Sequence, residues 1–237
     1  MRRWSSWIVS FAATGALTAA WSTRPFAAPP TGSGPEVVTT FGPAARVARD
    51  ALSGAPRAIS GLSIATVGDS PAARALGFVA THRAALGLGA LEVAADRSET
   101  LPSGGQAVTL RATWLGAEVE GRSLVVRLDA EGRVRGVTND LFALTTPWPA
   151  EAIDAERARE VVLATFDVAA AGRPTEVVVA TAPGSVRFAW RVAAVVIPLQ
   201  AHFWVWVDQE TGAVLRSAPA GLDQGMTRLP LKGEGPR

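Results

Sequence analysis

Apolar and polar residues alternate most regularly between Ala107 and Leu141. Val108, Leu110, Ala112 and Trp114 share one side of a strand, and Thr109, Arg111 and Thr113 the other. A period of two marks a half-buried strand. After a glycine break at Gly116 to Gly121, Leu124, Val126 and Leu128 alternate with Val125 and Arg127. A polar turn, Asp129-Ala130-Glu131-Gly132, leads to a third strand through Val134 and Val137. The connections are too short for parallel crossovers, so the pattern predicts an antiparallel meander.

The rest of the chain is read around this meander. Pro43 to Leu52 is predicted as a short helix with Gly54 beyond its end, and Ala58 to Val67 as a strand. Ser70-Pro71 opens the best-defined helix, with Ser70 as cap and Pro71 in the first turn. Ala75, Phe78, Val79, His82 and Leu86 recur at spacings of three and four and form one apolar stripe; Gly87 and Gly89 stop the helix. Leu88 to Gly105 carries no clear pattern. Pro147-Trp148-Pro149 breaks the chain before a second helix, capped by Asp154 and running from Ala155 to Phe166. Three strands are expected next. The first is Thr175 to Ala180. The second has Val186, Phe188, Trp190 and Val192 on one face and Arg187, Ala189 and Arg191 on the other. The third is Ala201 to Val207. A turn at Asp208 to Gly212 and a short strand at Ala213 to Leu215 complete the set. The two halves repeat one plan, a helix followed by antiparallel strands, which is an α+β architecture.

Composition alters this picture mainly at the ends. The chain has 237 residues, ample for one large or two small cores. The pI near 10.2 reflects the lack of Tyr and Cys and a single lysine, Lys232, because a formal charge of +2 then meets almost nothing that titrates. No basic stripe is present, and nucleic acid is not an expected partner. Arg2 and Arg3, the apolar Trp7 to Ala20 and the small residues Thr18-Ala19-Ala20 have the three-part form of a secretory signal. Residues 1–20 are therefore expected to be a signal peptide and 21–42, rich in Pro and Gly, a flexible linker. The protein is expected to be secreted or periplasmic, with no stable membrane insertion after signal cleavage. Residues 217–237 read as a loose polar tail.

At the level of particular residues, two stretches resemble a known family. The helix around Phe78 and His82, followed by Trp114, Gly116, Gly121, Leu128-Asp129, Gly132 and Val134, is similar to the FTP domain, the propeptide module of fungalysin and thermolysin. The helix from Ala155, then Phe188, Trp190 and Val192, then Trp204, Trp206, Asp208, Gly212 and Val214, resembles the PepSY module that commonly follows it. Glu118 departs from the family, which places a proline inside the hairpin. The resemblance implies two consecutive cystatin-like units, each a helix on an antiparallel sheet, at 43–146 and 147–216. It also implies a partner, a secreted zinc metalloprotease supplied in trans, which the protein would inhibit or help to fold. The family's His-Glu-x-x-His protease motif does not occur in the sequence, so no enzymatic activity is expected.

Candidate chemistry is sparse. His82 lies on an apolar stripe and His202 on a strand. A zinc site needs three or four ligands, and with no Cys these two histidines do not supply one; no metal and no cofactor is expected. Glu156 and Glu160 read as an exposed helical face and Asp208 to Gly212 as a turn. No catalytic residue is assigned. Phe203, Val205 and Val207 form one face of their strand, and His202, Trp204 and Trp206 the other. Large aromatics commonly anchor interfaces, so His202, Trp204 and Trp206 are the candidate partner-binding residues. Two further readings remain open: a cell-envelope module that binds a ligand or the wall, and a remnant propeptide of a protease gene.

Overall fold

The computed structural model of the chain describes residues 40–50, 54–182, 185–196, 201–221, 229 and 232. The expected signal peptide and residues 21–39 of the linker lie outside them. The described residues form a mixed α+β structure, mostly sheet with two helices. The strands are β1 (Arg46–Arg49), β2 (Pro56–Ser60), β3 (Glu92–Thr100), β4 (Gln106–Trp114), β5 (Ala117–Val119), β6 (Leu124–Leu128), β7 (Val134–Asn139), β8 (Ala170–Ala171), β9 (Thr175–Ala182), β10 (Ser185–Val196), β11 (Ala201–Asp208) and β12 (Val214–Pro219). The helices are α1 (Pro71–Thr81) and α2 (Ala155–Thr165).

Both helices begin where their caps predict. Ser70 Oγ accepts from the Ala73 amide at 3.1 Å, and Asp154 Oδ1 from the Arg157 amide at 2.7 Å, each satisfying a donor the helix leaves unpaired. Ala75, Phe78 and Val79 of α1 are buried, as their spacing predicts. The Asp129–Gly132 turn closes β6 onto β7, with the Gly132 amide on the Asp129 carbonyl at 3.0 Å. Gly132 has φ +78°, and a side chain there would collide with the Arg74 guanidinium of α1.

The strands form one sheet in the order β1-β2-β7-β6-β4-β5-β9-β10-β11-β12, with β3 on the free side of β4 and β8 on β10. All pairings are antiparallel except one. β5 and β9 run parallel, placing Glu118 beside Val177 and Val119 beside Val178, and the Glu120 amide donates to the Val178 carbonyl at 2.9 Å. This short parallel seam joins the two halves.

The seam does not coincide with a boundary between cores. On β10, Val186 and Phe188 pack into the core under α1, whereas Val192, Ala194 and Val196 pack into the core under α2. These residues all lie on one face of β10, because strand side chains alternate. Both helices therefore cover the same face of the sheet. Trp148, in the connector between the halves, packs its ring 4.4 Å from that of Phe188. The same connector is held by two indole N–H groups, Trp114 to the Thr146 carbonyl and Trp190 to the Ile153 carbonyl, each at 2.9 Å.

Four expectations are corrected. Arg46–Arg49 is a strand and not part of a helix, because Val47 pairs with Ile59 and is buried. The linker does not reach residue 42, since Phe41 is buried 6.5 Å from the Phe78 ring. The unpatterned stretch Leu88 to Gly105 contains β3, paired along β4. The loose tail does not begin at residue 217: Ser217, Ala218 and Pro219 continue β12 against Val205, Trp204 and Phe203. Leu229 is buried in the α2 core, and the Lys232 amide bonds the Thr165 carbonyl at the end of α2.

Candidate partner-binding face

The sheet face away from the helices carries the aromatic residues singled out by the sequence. On β11, Phe203, Val205 and Val207 point to α2 and are fully buried, and His202, Trp204 and Trp206 point outward. The outward three differ in depth. His202 is exposed, Trp204 half-buried, and Trp206 only 4% exposed. Trp206 is covered within the chain, since its ring packs with Val177, Val179 and Ala189.

Charged groups close over this layer. Trp206 Nε1 donates to Glu120 Oε2, a carboxylate from the turn after β5. Arg216 of β12 lies 4.1 Å above the Trp206 ring and Arg191 of β10 lies 5.0 Å above that of Trp204. Guanidinium groups are attracted to indole faces, which helps to hold each Arg in place. Both meet Glu120, at 3.6 Å from Arg191 and 4.0 Å from Arg216. Glu118 pairs with Arg111 at 3.0 Å and reaches Arg191 at 3.9 Å. Glu118 lies between β4 and β9. Because it is paired with Thr113 on one side and Val177 on the other, this is an interior strand position that disfavours proline.

Concavities among the described residues include one beside this face. A groove of about 300 Å³ lies at the seam, lined by Glu120, Gly121, Arg122, Asp140, Val179 and Arg216. A larger cleft of about 470 Å³ lies at the far end of the first half, between β1, the turn after α1 and the segment 142–146. Its lining includes Phe41, Val47, Pro56, Ala85, Phe142 and Leu144.

The remaining sequence-predicted residues serve the scaffold. Phe78 is in the core, with the His82 ring 4.6 Å from its own. Phe41 lies 5.2 Å from His82 on another side. Burial holds the His82 imidazole below its ordinary pKa. Gly116 and Gly121 flank β5. Asp129 accepts from the Arg133 amide at 2.8 Å and pairs with Arg135 at 2.8 Å. Burial pushes its carboxyl up, but the Arg133 amide, the Arg135 charge and hydrogen bond, and the Glu131 amide together outweigh this and hold it below its usual value. Asp208 is buried, with Oδ1 accepting from the Glu210 and Thr211 amides and the Thr211 hydroxyl, and Oδ2 facing Arg187 at 3.3 Å. Its oxygens are thereby engaged in the turn that Gly212 completes at φ +70°. Glu156 and Glu160 form exposed ion pairs with Arg159 and Arg157, both at 2.8 Å. Among the described residues no three His, Asp or Glu side chains gather as a metal site would require, and no helix is long and apolar enough to cross a membrane.

The sequence did not single out Glu120, Arg191 or Arg216. For Arg191 a signal was present: it lies on the outward face of its strand, the face that also carries Trp204 and Trp206, whereas Arg216 lies just past the end of the strand expected at Ala213 to Leu215. Glu120 gave no such signal, because it follows β5 in a turn.

No family model and no curated protein matches the chain. Among solved structures it is similar to the Bacillus megaterium YpeB C-terminal domain. The identity is 14%, over 74% of this chain and 75% of that one, with a TM-score of 0.40.

Proposed function

We propose that the chain is a secreted, non-enzymatic, propeptide-like protein. In this reading an FTP-like and a PepSY-like unit, each cystatin-like in plan, share one sheet. The protein engages a thermolysin-type metalloprotease in trans, as inhibitor, folding assistant or both. The observation that carries the reading is the outward face bearing His202, Trp204, Arg191 and Arg216, which neither helix covers. A protein that binds the folded enzyme and not the unfolded chain stabilises the former by mass action and needs no catalytic group. A rigid sheet suits that task, because a surface already ordered loses little entropy on docking.

The test is to mix the exported protein with metalloproteases secreted by the same cell and to follow both peptide cleavage and recovery of the enzyme from denaturant. Inhibition or assisted refolding is expected, with Trp204→Ala weakening it by roughly thirtyfold, as an aromatic anchor worth about 2 kcal/mol requires. Neither effect with any such enzyme sinks the reading.

A second reading, an envelope module that binds a small ligand or the wall, is favoured by the cleft of about 470 Å³, a size in the usual range for small-molecule sites. Thermal stabilisation by soluble wall fragments, lost in Phe142→Ala, would support it over the first.

A further inference from the structure

We propose that the groove at the seam recognises a carboxylate side chain on an extended acidic segment of the partner, and that Glu120 is its resident occupant. The proposal rests on the reading of this face as a binding surface and names the chemistry it selects.

The site is already built for a carboxylate. Three donors converge on Glu120: the Trp206 indole N–H, Arg191 and Arg216. The two guanidiniums are held by the indole rings beneath them, so the donors are in place before any ligand arrives. Both ion pairs are long, at 3.6 and 4.0 Å, and Arg216 is half exposed to water. Neither arginine is saturated by Glu120, since a guanidinium offers five N–H groups.

The groove adds a cation, Arg122, that forms no ion pair among the described residues. Arg122 donates to the Asp140 carbonyl at 3.0 Å and lies 4.7 Å above the Phe142 ring. No carboxylate among the described residues stands within ion-pair distance of it. Asp140, on the same groove, is 3.9 Å from Arg57. An incoming anion would therefore meet Arg122 and Arg216 directly. Glu120 and Asp140 also line the groove, so an incoming carboxylate competes with Glu120 for Arg216. At about 300 Å³ the groove holds a side chain, not a large ligand.

The test uses the full chain and two blocked hexapeptides, all-Glu and all-Gln, with binding followed by tryptophan fluorescence at low salt. The Glu peptide is expected to bind and the Gln peptide not. Binding should weaken as salt is raised. Arg122→Gln should weaken it roughly tenfold, the loss of one charge-assisted contact. Glu120→Gln keeps an acceptor for the Trp206 indole and removes the competing charge, so the Glu peptide should bind several-fold more tightly. Equal binding of the two peptides, an unchanged Arg122→Gln, or a weaker Glu120→Gln with native circular dichroism would each overturn the proposal. No protease enters this assay. A failed inhibition experiment therefore leaves its result standing, and its own failure leaves the Trp204 contact to be judged separately.

Discussion

Phe188 tests whether the two halves are one cooperative body. It lies on β10, in the second half, yet it is buried at 5% exposure in the core beneath α1, against the Trp148 ring at 4.4 Å. Phe188→Ala removes a buried aromatic ring and leaves a cavity, which costs about 3–5 kcal/mol. Loss of the tilted ring contact with Trp148, worth about 0.5–1.5 kcal/mol, places the cost in the upper part of that range. A stability of about 5–15 kcal/mol is usual, so the change removes roughly a quarter or more of it. At about 2–4 °C per kcal/mol for a chain of this size, the melting temperature falls by roughly 8–20 °C. Urea unfolding should be followed by far-ultraviolet circular dichroism and by tryptophan fluorescence. The expected result is one coincident transition, moved as a whole. Two transitions of which only one moves, or a loss below about 1 kcal/mol, would refute the argument that one core spans the seam.

Two further outcomes follow from a buried and a half-buried polar group. Asn139 is 2% exposed and makes three hydrogen bonds: its amide donates to the Pro56 and Leu86 carbonyls, and its oxygen accepts from the Leu141 amide, all at 3.0 Å. Asn139→Ala leaves these backbone groups unpaired and should cost about 2–4 kcal/mol in urea titration; a neutral result would mean that water replaces the side chain. His82 sets a pH dependence. Burial lowers its pKa below 6.5, so the unfolded chain takes up the proton first as pH falls. Its contribution to stability is fully present above 6.5 and declines from there down to the folded-state value. Melting temperatures between pH 7.5 and 5 should show this decline, and His82→Gln should flatten it; an equal slope in both proteins counts against the assignment.

What the sequence disclosed was local. Ser70 and Asp154 announce their helices because a cap is read within four residues. The β4, β6 and β7 strands announce themselves because one face is buried and the other wet. β3 was illegible for the opposite reason: as an edge strand exposed at nearly every position, it has no buried face to print a period. β1 has a single buried residue, Val47, and the proline and glycine around it imitate helix ends. The seam was hidden because β5 is three residues long and its partner β9 lies in the other half. At the candidate site, alternation placed Trp204 and Trp206 on one face but could not give their depth. The burial of Trp206 comes from Val177 and Val179 of β9 and Ala189 of β10, strands that sequence alone did not place beside it.

The seam also dictates an order of events as the chain folds. Helix α1 and the meander are complete once Asn139 has been made. Yet the core under α1 still lacks Val178, Val186 and Phe188, and β5 has no partner on its outer side until β9 arrives. Until then Val119 borders an open flank, and contacts closed across so long a stretch of chain form slowly. The first half is thus committed early in plan and late in stability. The interval between is when a chaperone or an aggregating neighbour would find it.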